Sequence, residues 1–119
     1  MSNAVVLYGI PNCDTIKKAR KWLAEHQIDY QFHDYRKQGS DLDLLRSMAA
    51  QLGWEAMLNR RGTTWRALPD AQKYSVDETS ALQLMCANPA LIKRPILNRD
   101  ARWHIAFSDQ QYQEIFDPA

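Results

Sequence analysis

Val5-Val6-Leu7-Tyr8 is a short, uninterrupted apolar run closed by Gly9 and Pro11, which predicts a strand covered on both faces. The period then changes. From Asp14 to about His26, Ile16, Ala19 and Leu23 return at helical spacing, with Lys17, Lys18, Arg20 and Lys21 between them and Trp22 at the margin. Tyr30-Gln31-Phe32-His33-Asp34-Tyr35 alternates, as a half-buried strand does. Strand, helix and strand in this order predict a parallel pair joined by a right-handed crossover.

Gly39-Ser40-Asp41 stops the second strand and caps a helix whose apolar face is Leu42, Leu45, Met48, Ala49 and Leu52, with Gly53 at its end. Nothing from Trp54 to Asn88 reads as strand. Trp54, Met57 and Leu58 predict a short helix, and Asp77-Glu78-Thr79-Ser80 opens another through Leu82, Met85 and Cys86, closed by Asn88-Pro89. After Arg94-Pro95, Ile96-Leu97-Asn98 and Trp103-His104-Ile105-Ala106-Phe107 predict a hairpin around Arg99-Asp100-Ala101-Arg102. Ser108-Asp109 caps a last helix through Tyr112, Ile115 and Phe116. Removing the helical stretch leaves β-α-β followed by β-β-α, the layout of a thioredoxin-like domain. The predicted fold class is therefore α/β, with a mixed four-stranded sheet and a helical insertion.

Composition narrows the picture only a little. The chain has 119 residues, a length suited to one domain with its own core. Hydrophobic residues make up 45% and charged residues 24%, and the formal net charge of +1 gives no case for nucleic acid as a partner. No apolar run approaches the ~20 residues of a membrane span, and no signal-peptide pattern opens the chain. Two distant cysteines in such a chain predict reduced thiols and a cytoplasmic location.

One of those thiols stands out. Cys13 follows Gly9-Ile10-Pro11-Asn12 and precedes the first helix, so it sits at a helix N-terminus, where unpaired N–H groups favour a thiolate. Cys86, among Leu82, Leu84 and Met85, is predicted to pack in the core. Ile16 occupies the place where a Cys-x-x-Cys pair would have its second thiol, so Cys13 needs another molecule or a distant thiol to resolve a mixed disulfide. Arg60 and Arg61, in the turn Asn59-Arg60-Arg61-Gly62, can each recognise an oxyanion or carboxylate or simply be solvated. His26, His33 and His104 show no metal-ligand spacing, and no metal is expected.

Three stretches in order, Leu7 to Arg20, Gly53 to Arg66 and Ile92 to Leu97, resemble the arsenate reductase (ArsC)-like family, within it the YffB-type branch, with Spx-type regulators as relatives. The likeness spans nearly the whole chain. It implies a single ArsC-like domain over 1–119, a thioredoxin-like core at about 4–38 and 90–117, and an insertion at about 40–89. It also implies a nucleophile at Cys13 and a cis bond before Pro95, with Arg94 and Arg61 as anion-holding residues and Arg60 as an adjacent competitor. Asn12 and Thr15 complete the substrate- or glutathione-binding set. The resemblance implies no bound cofactor, glutathione as co-substrate, glutaredoxin or another thiol as donor, a monomeric state, and neither nucleic acid nor membrane as partner. Arsenate reductases of this type carry a third arginine on the last strand, where this chain has His104-Ile105-Ala106-Phe107-Ser108. The expected function is thus a glutathione-dependent thiol reductase. A glutaredoxin-coupled arsenate reductase and an Spx-like module docking on RNA polymerase are the alternatives.

Overall fold

The computed structural model describes residues 5–116. It divides into two compact units, Met1–Asp34 with Arg94–Ala119, and Tyr35–Lys93. The first unit is a sheet with two helices. Its strands are β1 (Val5–Gly9), β2 (Gln31–Asp34), β3 (Ile96–Arg99) and β4 (Arg102–Ile105), in the order β2-β1-β3-β4. β1 runs parallel to β2 and antiparallel to β3, and β3 is antiparallel to β4. This mixed four-stranded sheet is the thioredoxin-like arrangement that the order of elements predicts.

Register decides which side chains share a face. Leu7 lies opposite Phe32 on one side and Leu97 on the other, so all three point the same way. That face packs on α1 (Asp14–Glu25) and α8 (Asp109–Phe116) through Val5, Leu7, Leu97, Ala19, Trp22, Leu23 and Tyr112. Tyr112 meets Phe107 and Trp22 edge-on, with ring centroids 4.6 and 5.5 Å apart. The other face of β1 carries Val6 and Tyr8, half-buried rather than covered as the apolar run suggests. Tyr8 there contacts His33 and Trp103 at 4.8 and 5.3 Å between centroids.

Two differences from the predicted elements have local causes. The last strand stops at Ile105 rather than reaching Phe107, because Ala106 takes φ 70° and gives its N–H to the carbonyl of Pro95 at 3.0 Å. The hairpin closes through Asp100 and Ala101 alone, at φ 53° and 68°, the doubly left-handed turn that matches strand twist.

The second unit comprises α2 (Tyr35–Gln38), α3 (Leu42–Leu52), α4 (Trp54–Met57), α5 (Thr63–Arg66), α6 (Asp70–Tyr74), α7 (Glu78–Ala87) and a 3₁₀ turn, Pro89–Leu91. Asp41 caps α3 by accepting from Leu44 N–H at 2.8 Å, and Gly53 ends it at φ 83°. Asp77 and Ser80 form a reciprocal capping box on α7. Leu45, Met48, Met57, Leu58, Leu82, Met85, Leu91 and Ile92 are buried. A short antiparallel ladder ties the end of α4 to the segment before Arg94. Lys93 N–H reaches Met57 O at 2.7 Å, Leu58 pairs with Ile92, and Asn59 N–H reaches Leu91 O at 2.7 Å.

Candidate active site

The site grows from the turn after β1. Cys13 N–H donates to Ile10 O at 3.3 Å, closing a turn with Pro11 at its second position, and Lys17 N–H reaches Cys13 O at 3.0 Å to begin α1. Cys13 is therefore the N-cap of α1, at φ −95° and ψ 131°. Gly9 permits this approach. A Cβ placed there would lie 2.2 Å from Ile16 Cδ1, so a larger residue at this position would force the buried Ile16 side chain to move.

The thiol is half-buried. Burial pushes it up, but this is outweighed by the Ile16 N–H, the Arg94 side chain hydrogen-bonded to the sulfur, the Thr15 N–H and the Arg94 positive charge. The net result holds the thiol below its ordinary range. No capping hydrogen bond is formed by the side chain. The Thr15 and Ile16 amides therefore act as oriented dipoles on the thiolate form. Thr15, expected as a site residue, contributes through its backbone, and Ile16, which side-chain reasoning passes over, contributes in the same way. Asn12 is exposed in the turn.

Arg94 comes from across the sheet. It precedes Pro95 at the entry to β3, and the Arg94–Pro95 bond is cis, as the resemblance implies. Ala106 N–H takes the Pro95 carbonyl and so pins this turn to the end of β4. Cys13, Thr15, Arg94 and Pro95 thus all belong to the first unit.

Arg61 belongs to the second unit. Asn59 Oδ1 accepts Arg61 N–H at 3.1 Å and folds the Asn59-Arg60-Arg61-Gly62 turn back on itself. The Arg60 guanidinium lies over the Trp65 ring at 5.6 Å, and both Arg60 and Arg61 are exposed.

The last strand supplies no further cation near the thiol. Arg99 pairs with Val5 at the start of β1, whereas Cys13 follows its end, so Arg99 and Arg102 lie at the opposite end of the sheet. Arg99 is also spent on the Ile115 carbonyl and the Phe116 ring. Burial pushes His104 down, and Arg102 and Arg99 push it further, so its imidazole is neutral at pH 7. Cys86 corrects the core expectation: it is exposed, at the last turn of α7, where the buried stripe runs through Ala81, Leu82 and Met85.

The ArsC family model matches residues 8–115. The chain belongs to the ArsC family. Within it, a solved YffB protein is 50% identical, with a TM-score of 0.88 over 92% of this chain and 96% of that one. An arsenate reductase (ArsC) related protein from Brucella melitensis is 48% identical, with a TM-score of 0.77 over 98% of both chains. The global transcriptional regulator Spx of Streptococcus pyogenes is 29% identical over 110 residues, 90% of this chain and 81% of the regulator. This ArsC-family chain is therefore related to arsenate reductases, belongs with the YffB-like branch, and is related to Spx regulators. Among its described residues no helix is long and apolar enough to cross a membrane.

Proposed function

We propose that this ArsC-family protein is a glutathione-dependent thiol reductase with Cys13 as its single nucleophile. The observation that carries the reading is a half-buried thiol held below its ordinary range by Arg94 and two helix amides. In a mixed disulfide of a substrate thiol with glutathione, the Cys13 thiolate attacks the glutathione sulfur. The substrate S–S bond breaks as the Cys13–glutathione S–S bond forms, and the substrate leaves as its thiolate. A second glutathione thiolate then attacks the same glutathione sulfur, releasing the Cys13 thiolate and glutathione disulfide. One disulfide is reduced and two glutathione moieties leave joined, so electrons balance. Arg94 pairs a glutathione carboxylate between steps.

Arsenate is the poorer substrate in this reading. A compact tetrahedral oxyanion needs several cations converged on one small volume, and a neutral His104 together with distant Arg99 and Arg102 leaves the last strand without one. One missing charged contact costs about 1.5–3 kcal/mol, on the order of tenfold to a hundredfold in binding.

The test is glutathione-coupled turnover of a small glutathione mixed disulfide and of arsenate by wild type, Cys13→Ser and Arg94→Ala. Cys13-dependent turnover of the mixed disulfide, weakened in Arg94→Ala, is expected. Arsenate turnover equal to that of an established arsenate reductase refutes the substrate assignment. Absence of turnover with both substrates refutes the enzyme and moves the protein to the regulator-like docking alternative.

A further inference from the structure

On α1 the inward arc is filled by Ile16, Ala19, Trp22 and Leu23. At 3.6 residues per turn, Lys17, Lys21 and Lys18 fall on the outward arc, about 40°, 80° and 140° around the helix from Cys13. All three are exposed, and among the described residues none forms a salt bridge. Asp14 and Glu25 fall on the same arc, at about 100° and 120°, and Glu25 and Asp109 border the groove that Lys18 and Lys21 line. The lysines still outnumber the carboxylates of α1, and Arg94 adds positive charge beside the sulfur. A chain whose formal net charge is only +1 thus concentrates cation next to its reactive thiol.

We propose that this lysine face docks the protein half of the disulfide substrate, a segment with acidic residues close to its disulfide-bonded cysteine. Eight residues of helix separate Cys13 from Lys21, about 12 Å of rise. An extended segment spans that distance in about four residues. The acidic residues therefore belong within about four positions of the reacting cysteine. The chemistry is that of the thiol-reductase reading, on which this inference rests: Cys13 takes the glutathione sulfur, the acidic segment leaves as its thiolate, and glutathione reduces Cys13. The lysines act by drawing the substrate to the thiol and orienting it, without touching the reacting sulfurs.

The test uses two short peptides, each holding one cysteine as a mixed disulfide with glutathione. They differ only in that three glutamates of one are glutamines in the other. Release of peptide thiol gives kcat/KM for each, and the ratio of the two cancels any change in thiolate reactivity. Wild type is expected to favour the glutamate peptide by about tenfold at low ionic strength, the ratio falling towards one as salt is added. Lys17→Glu, Lys18→Glu and Lys21→Glu together are expected to invert it. A wild-type ratio near one, or a ratio unchanged in the triple variant, overturns the docking proposal, while Cys13-dependent reduction of the glutamine peptide leaves the thiol-reductase reading standing. Failure to reduce both peptides overturns the two together. Retardation of duplex DNA by wild type, lost in the triple variant, assigns the lysines to a phosphate backbone and also overturns the proposal.

Discussion

Arg94→Ala tests the electrostatic origin of Cys13 reactivity directly. Arg94 acts on the sulfur both as a hydrogen-bond donor and as a charge, whereas the Thr15 and Ile16 amides are backbone groups that the substitution leaves in place. A hydrogen bond to a charged group is worth about 1.5–3 kcal/mol when shielded. Because the thiol is only half-buried, solvent screening reduces this to about 1 kcal/mol. Removing Arg94 therefore raises the thiol value and lowers the thiolate fraction about fivefold at pH values below the titration. The assay is the rate of alkylation by iodoacetamide as a function of pH, followed by mass spectrometry. It is run on a Cys86→Ser background, since Cys86 is itself exposed. The expected profile has the same shape and high-pH plateau as that of wild type, with its midpoint moved up and its rate below the midpoint down about fivefold. Arg94→Lys, which keeps the charge but loses the planar fork, should fall between the two. A profile unmoved by Arg94→Ala refutes the role given to this residue and leaves the helix amides as the source of the effect.

Gly9→Ala should destabilise the fold by about 1–3 kcal/mol, through the close approach of a new Cβ to Ile16, with part of the loss recovered in Gly9→Ala/Ile16→Val; urea denaturation measures both. Ala106→Gly and Ala101→Gly remove the cost of a side chain at φ 70° and 68°, and each should stabilise by about 0.5–1 kcal/mol, read as a higher Tm. Tyr112→Phe should be neutral or stabilising by up to about 1 kcal/mol, because the buried hydroxyl has no hydrogen-bond partner among the described residues; a loss of more than that in urea denaturation would reveal an interaction beyond ring packing.

Local chemistry made the first third of the site legible. A run of apolar residues, a Gly-x-Pro turn and an amphipathic period place Cys13 at a helix N-cap whatever lies elsewhere in the chain, since capping and turn geometry involve only near neighbours. The βαβ order and the final hairpin followed from the same kind of signal. α5 and α6 did not, because Thr63–Arg66 and Asp70–Tyr74 are short and bury no residue, so they carry no apolar period to read. The placement of Cys86 was also beyond local pattern. It neighbours Met85 in sequence, but one step along α7 turns it about 100° away from the buried stripe, and only packing shows where that stripe lies. Tertiary structure alone decided three further points about the site. It brought Arg94 across the sheet to a thiol 81 positions earlier in the chain, through the β1–β3 pairing. It left His104 neutral chiefly by half-burying its imidazole, with Arg102 and Arg99 adding to the effect. It laid the Arg60 guanidinium over Trp65. Only the first joins residues far apart in sequence; His104 shares a hairpin with its arginines and Arg60 a turn with Trp65, yet burial and side-chain placement there are set by packing that local pattern does not show.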